Sequence, residues 1–476
     1  MRPIILALAT LFLAGRGSWL SAQSPQPRTD TLHLQVDKIF AEWDKPESPG
    51  CALGVIRKGS FIYKRGYGSA NLELGVPITP TTVFDLGSTS KQFTAASVVL
   101  LAQQGKLALD DDIRKYLPEM PAYSLPITIR HLLHHTSGLR DYLTLMFLKG
   151  IATEDLTDDE DALALIARQK ETNFAAGDEH LYSNSGYFLL SVIVKRASGK
   201  SLREYAKANI FEPLGMHNTH FHDDHTMIVP RRATGHAVRD SGGFQIDMSD
   251  FEQTGDGAVM TTIEDMLLWD QNFYRPAVGG AAMLEALQTP GSVSSGKPLT
   301  YALGLGVSTY RGARIVSHGG AWAGYRADLI RFPEHELSVI CLCNLGNINP
   351  SSLARRVADV YLARQLKAVV AASTPPSTPP SKVPTTASSA SLELSDFTGD
   401  YYSEELDVWY RLHADSGKMR VRARNFSRDP LQPSGVDSFT VSGLTLKFER
   451  DSQRRVSAFT IDAGRVKNIR FVKRPA

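Results

Sequence analysis

The placing of strand-like and helix-like segments constrains this chain more than any other feature. Residues 46–75 hold two β-like runs joined by Lys58-Gly59-Ser60, a hairpin signal. Segments from about 88 to 270 read as helical, punctuated by Gly and Pro. Strand patterns return over 299–346 in YALGLGVSTY, ARIVSHGG, ADLIRFP and LSVICLCN. A chain that begins and ends in strands around a helical middle can bring both ends into one antiparallel sheet. The expected class is therefore α+β. No repeat of 20–50 residues is present.

At 476 residues the chain is too long for one typical domain. Residues 369–391 are rich in Pro, Ser, Thr and Ala, a composition that cannot bury a core and reads as an extended linker. Beyond it, DVWYRLHA, KMRVRARN, DSFTVSG, LTLKFERD, VSAFTIDA and NIRFVK alternate apolar and polar residues between turns. Residues 392–476 are thus expected to form a small, β-barrel-like accessory domain, separate from a main domain over 23–368.

Residues 1–22 read as a signal peptide. Arg2 gives a positive start, Ile4 to Ala14 is an apolar run too short to span a bilayer, and Leu20-Ser21-Ala22 offers a small residue before a cut. The alternative is an uncleaved anchor or a buried helix. Export to the periplasm or the medium is expected, with no stable membrane anchor. Formal charge is +2, and Arg2 and Arg16 belong to the leader. The near-neutral remainder argues against binding nucleic acid through phosphate contacts. With 42% hydrophobic and 21% charged residues, the composition is that of an ordinary globular protein. Cys51, Cys341 and Cys343 all lie in strand-like runs, where small apolar packing explains them. Should those strands be neighbours, Cys51 can bridge Cys341 or Cys343.

Three short motifs follow in one order: Ser88-Thr89-Ser90-Lys91, Tyr182-Ser183-Asn184 and His318-Gly319-Gly320. S-x-x-K recurs at Ser294 and Lys297, so that motif alone is weak. Its first copy has an informative setting. After Gly87, apolar residues recur at helical spacing (Phe93, Ala96, Val99, Leu100), and Gly105 is a plausible stop. Ser88 then starts a helix, with Lys91 one turn along on the same face. The helix start also points free N–H groups at the serine. A weak nucleophile needs both a nearby base and donors for the anion formed on attack. The bland alternative makes Ser88 a cap and leaves Lys91 solvated.

The segments FDLGSTSKQFTAASVVLL, RHLLHHTSGLRDY, LYSNSGYFLL, IFEPLGMHNTHF, GDGAVMTTIEDMLLWDQNF and SHGGAWAGYRA resemble the serial signatures of the class C β-lactamase-related serine hydrolases. That group includes penicillin-recognising enzymes, D-amino-acid peptidases and carboxylesterases. The resemblance runs from about residue 35 to 365. It implies a serine β-lactamase-like fold, an antiparallel sheet flanked by helices with a helical subdomain. The C-terminal segment resembles an accessory domain carried by some members. It could cover the active-site mouth, grip a polymer or pack against the main domain.

By this resemblance Ser88 is the nucleophile, Lys91 its partner base, and Tyr182 the group that delivers a proton to the leaving group. Two protonation schemes stay open: Lys91 stabilises a Tyr182 phenolate, or Lys91 is desolvated and neutral while Tyr182 shuttles. Asn184, two residues on in an extended segment, can face Ser88 with Tyr182; otherwise it caps a helix starting at Ser185. His318 stands where the family's commonest form has Lys, which weakens binding of a substrate carboxylate at neutral pH. His318 and Gly320 share a strand face, and Gly319-Gly320 would let a substrate backbone lie close. The N–H groups of Ala321 and Ser88 would form an oxyanion hole. Trp322 and Tyr325 line a substrate pocket or pack in the core. No acidic residue stands out for activating a deacylating water. The expectation is a serine hydrolase acting through an acyl-enzyme on an ester or D-amino-acid-containing peptide, with a β-lactam less favoured. The rival is an inactive binding protein of the same fold. No cofactor is implied. The partner is a small-molecule or peptide substrate.

The segment MHNTHFHDDHT could offer metal ligands through His217, His220, His222, His225, Asp223 and Asp224, but it lacks H-E-x-x-H order, so no metal is expected. His131, His134 and His135 read as packing and turn residues. An α/β-hydrolase is disfavoured by the lack of G-x-S-x-G.

Overall fold

A computed structural model describes residues 27–368 and 393–475. The expected leader at 1–22 and linker at 369–391 lie outside the described residues. The two chain ends of the main domain do meet in one sheet. Its strands are β1 (Cys51–Arg57), β2 (Ser60–Tyr67), β3 (Gly306–Tyr310), β4 (Ala313–Trp322), β5 (Tyr325–Phe332) and β6 (Leu337–Cys343), in the order β3-β4-β5-β6-β1-β2. Every pairing is antiparallel. The β1–β2 turn has positive φ at both Lys58 (52°) and Gly59 (74°), the geometry whose twist suits a two-residue hairpin.

β1 and β6 are buried on both faces, so they read as unbroken apolar runs rather than as alternation. Side-chain period two sorts them. Cys51, Leu53 and Val55 point into one core layer, shared with Val36 and Phe40 of α1 (Pro27–Phe40) and Leu353 and Val357 of α6 (Pro350–Tyr361). Ala52 and Ile56 point into the larger core on the other face, with α2 (Lys91–Gln103), α4 (Asn184–Ser198) and α5 (Ile263–Asn272). A shorter helix, α3 (Tyr142–Lys149), belongs to the same helical body. Cys51 lies directly opposite Cys343 across β1 and β6, and these two form a disulfide, leaving Cys341 free and buried. Packing alone therefore does not explain all three cysteines.

The C-terminal segment is an eight-stranded antiparallel sheet of barrel-like form. Its strands are β7 (Gly399–Ser403), β8 (Val408–Asp415), β9 (Lys418–Arg422), β10 (Gln432–Gly435), β11 (Ser438–Val441), β12 (Leu444–Arg450), β13 (Val456–Ala463) and β14 (Val466–Arg474). β7 and β10 carry too little alternation to announce themselves in the sequence. This sheet packs on the helical body. Arg140 forms a buried ion pair with Glu405 at 2.6 Å and donates from Nε to the Lys467 carbonyl at 3.0 Å. The Tyr410 hydroxyl donates to the Leu148 carbonyl at 2.6 Å.

Candidate active site

Ser88 lies in a 3₁₀ turn, Gly87–Ser90, that leads into α2. The turn is tighter than the simple helix start expected from sequence, and it is pinned from several sides. Asp85 Oδ1 accepts from the Gly87 amide at 2.6 Å, Thr89 Oγ1 donates to the His318 carbonyl at 3.0 Å, and Ser90 Oγ accepts from the Val259 amide at 3.0 Å. Gly87 has φ +49°, and a Cβ there would come 2.6 Å from the Ala321 amide nitrogen. A Cβ on Gly320 would come 3.1 Å from the Ser88 amide nitrogen. The amides of Ser88 and Ala321 thus meet where β4 runs past the turn, which suits a two-donor oxyanion hole.

Lys91 is fully buried. Its Nζ contacts Ser88 Oγ at 3.0 Å, Asn184 Oδ1 at 2.9 Å and the Asp256 carbonyl. The last two oxygens can only accept, so they take two N–H bonds. The third direction faces Ser88, where the ammonium donates a proton and the neutral amine presents its lone pair. Burial pushes the Lys91 pKa down, and the Asp256 and Asp141 carboxyls oppose that shift.

Ser183 is extended (φ −134°, ψ 123°), which lets Tyr182 and Asn184 face the same site. The helix starts at Asn184, and the Asn184 side chain serves Lys91 rather than a cap. Asp141 fixes this corner: its Oδ2 accepts from the Asn184 amide at 2.7 Å while its Oδ1 caps α3 through the Thr144 amide at 3.1 Å. The Tyr182 hydroxyl is buried and closes no hydrogen bond of good geometry among the described residues, although Ser88 is near enough to favour its ionised form. Burial nevertheless dominates and raises the Tyr182 pKa. Lys91 Nζ lies over the Tyr182 ring, 4.9 Å from its centroid, and the His135 ring packs at 4.2 Å.

A family model described as Beta-lactamase matches residues 36–363, well over half of the sequence. The chain belongs to the Beta-lactamase family. It is 31% identical over 306 residues to penicillin-binding protein 4* of Bacillus subtilis (strain 168), covering 60% of this chain and 66% of that one. It is 29% identical over 296 residues to a D-aminopeptidase of Gluconobacter oxydans (strain 621H), covering 62% of this chain and 56% of that one. The match spans less than two thirds of either relative. The solved octameric penicillin-binding protein homologue from Pyrococcus abyssi superposes with TM-score 0.63 at 22% identity, over 94% of this chain and 100% of that one. That breadth extends the shared fold into the C-terminal sheet.

In this Beta-lactamase-family chain the third motif departs from the expectation in one respect. A Cβ on Gly320 would stand 1.8 Å from the Leu86 carbonyl oxygen, and one on Gly319 would stand 3.3 Å from Ser351 Oγ. The protein itself needs the space at Gly320, because the turn that carries Ser88 is seated against it. His318 is buried and neutral near pH 7: burial and the Lys91 charge push its pKa down to about 4. Its tautomer follows from its partners. Nδ1–H donates to the Gly319 carbonyl at 2.7 Å, so Nε2 accepts from the Tyr301 hydroxyl at 3.0 Å. Trp322 and Tyr325 both line the cleft. The Tyr325 hydroxyl is tied to the Ala233 carbonyl, so that ring is a fixed wall; Trp322 packs on Phe251 at 5.5 Å.

The cleft has a volume of about 650 Å³ and holds Ser88, Tyr182, Asn184 and His318 together. Acidic groups that sequence reasoning passed over also line it. Asp256 accepts from the Tyr142 hydroxyl at 3.2 and 3.3 Å, and burial raises its pKa against the pull of Lys91. Asp85 is raised to about 6 by burial. The second S-x-x-K is remote: Ser294 packs against Gly177 and lines a different hollow. In the histidine-rich segment Asp223 pairs with Arg203, the His220 and His222 rings meet with centroids 5.6 Å apart, and Asp224, His225 and Glu252 bring side-chain ligand atoms within 4.8 Å of one another.

Proposed function

We propose that this protein is a serine hydrolase in which Ser88 attacks a carbonyl carbon to form an acyl-enzyme. The observation that carries this reading is the setting of Lys91, whose nitrogen spends two bonds on carbonyl oxygens and directs the third at Ser88 Oγ. Lys91 works as the neutral amine: it takes the Ser88 proton as the Oγ–C bond forms. The carbonyl oxygen becomes an anion held by the Ser88 and Ala321 amides. Tyr182 stays a phenol, because burial opposes its ionisation and Lys91 lies over its ring rather than at its oxygen. It relays the proton to the leaving group. Hydrolysis of the acyl-enzyme runs the same relay in reverse, with water in the place of the leaving group.

The relatives named for D-amino-acid peptide chemistry and the neutral His318 favour an ester or a D-amino-acid-containing peptide over a β-lactam. The leader-like residues 1–22 and the Cys51–Cys343 bridge support export to an oxidising compartment. Turnover of p-nitrophenyl esters, D-alanyl dipeptides and nitrocefin tests the reading, together with fluorophosphonate labelling. Ser88→Ala should lose labelling and at least about a thousandfold in rate. An unlabelled wild-type protein that turns over none of the panel would leave a binding role instead.

A further inference from the structure

Tyr182 has to bring its hydroxyl to the departing group, and among the described residues that hydroxyl closes no hydrogen bond that would hold it there. Its place is set instead by its main chain and its ring contacts, and both lead to His135. The His135 carbonyl accepts from the Leu181 amide at 3.0 Å, and His135 Nδ1 accepts from the Ser183 amide at 3.2 Å. Amides two apart in an extended segment point to the same edge. The peptide groups on either side of Tyr182 are thus tied to one residue. The His135 ring also packs on the Tyr182 ring, with centroids 4.2 Å apart and planes inclined by 35°. Tyr301 at 4.7 Å and Tyr187 at 5.1 Å pack around it too.

His135 is firmly seated. It follows the short helix Ile129–Leu133, and its amide donates to the Leu132 carbonyl at 3.3 Å. The next residue, Thr136, donates its amide to the His131 carbonyl at 2.9 Å and accepts from the Gly177 amide at 2.8 Å. Three demands meet at position 135. Its φ of +57° lies in the left-handed region, where Asn, Asp and His are enriched among residues that carry a side chain. The buried Ser183 amide needs an acceptor attached to Cγ. The Tyr182 ring needs a flat partner. Histidine meets all three. Because Nδ1 accepts, the ring proton sits on Nε2. Burial and the Lys91 charge push the His135 pKa well below its ordinary value, so near pH 7 Nδ1 keeps its lone pair for Ser183.

We propose that His135 is a positioning residue: it clamps the chain on both sides of Tyr182 and lays its ring against the phenol, so that the hydroxyl is aimed at the leaving group. As the bond from the carbonyl carbon to the leaving group breaks, the Tyr182 hydroxyl gives its proton to the departing atom and takes the one held by Lys91. The inference deepens the hydrolase reading and rests on it for that transfer.

Two esters with one acyl group test it. Ethyl butyrate must have its leaving oxygen protonated, whereas p-nitrophenyl butyrate releases a stable anion. The full-length protein and its variants are compared by kcat/KM on each. His135→Leu removes the acceptor and should lower kcat/KM on the ethyl ester at least about tenfold more than on the p-nitrophenyl ester. His135→Asn puts an acceptor on Cγ and tolerates the left-handed backbone, so it should recover most of that difference. His135→Gly keeps the backbone and removes the ring; it replaces His135→Leu should melting points show that leucine disturbs the fold. Tyr182→Phe should show the same bias at full size. Equal losses on both esters in His135→Leu or His135→Gly beside a biased Tyr182→Phe, or a His135→Asn protein no better than His135→Leu, would overturn the proposal and leave the hydrolase reading standing. A Tyr182→Phe protein without bias would remove Tyr182 from the relay, and a parent that turns over neither ester would remove the hydrolase reading; either result takes the proposal with it.

Discussion

In the proposed mechanism Lys91 carries more of the chemistry than any other side chain, and its environment makes a pH signature. The amine must be neutral to take a proton, so kcat/KM for a neutral ester should rise with pH as the ammonium dissociates. That limb should lie below the ordinary lysine value of about 10.4, because burial disfavours the charge. The Asp256 carboxylate favours the ammonium, so removing it in Asp256→Asn should move the limb to lower pH. Rate profiles between about pH 5 and 10 read this directly. A limb that stays in place would assign the titration to another group. That Lys91 stands beside Ser88 was legible in the sequence, because residues three apart in a helical turn share a face. Asp256 was not, since it serves Lys91 with a backbone carbonyl, which any residue type could offer. His135 was read as a turn residue, and it has φ +57°; that its ring would also pack on Tyr182, 47 positions on, depends on how helices and loops pack.

At the level of elements, the site is a 3₁₀ turn nested into the end of a strand. β4 approaches the turn so closely that only hydrogen fits on the inner face of Gly320. Gly320→Ala should force the Ser88 amide away from the Ala321 amide. The expected cost is about 10²–10³ in kcat, the scale for losing an oxyanion donor. Fluorophosphonate labelling rates should fall alongside it; an unchanged rate would mean that the turn adjusts without harm. The glycine was legible as a residue that permits close approach, yet the identity of the approaching group was not. The strand pattern and the hairpin turn follow from local composition, whereas register across β1 and β6 does not. Two cysteines two apart share a face, so only the pairing of distant strands decides that Cys343 meets Cys51.

For the molecule as a whole, the decisive contact is the docking of the C-terminal sheet. Arg140 appeared only within the segment RHLLHHTSGLRDY that carries the family resemblance, and nothing local in the sequence ties it to Glu405, 265 positions away. Arg140→Met should leave that carboxylate buried without its ion-pair partner, at a cost of about 3–5 kcal/mol. Melting temperature and protease sensitivity of the C-terminal domain measure the loss. Adding Glu405→Leu should recover much of it, since an apolar pair avoids the buried charge. The alternating β-runs announced a second sheet plainly, because half-buried strands write their exposure into their composition. Where it binds is a matter of surface fit between distant segments, which no local pattern encodes. The central pairing of β1 with β6 has a further outcome for biogenesis. A chain made from its amino terminus has no middle to its main sheet until position 343 has been added, and no backing for the nucleophile turn until β4 is in place. For most of its synthesis the polypeptide is chemically silent, and reactivity arrives only with the late partners of its early strands.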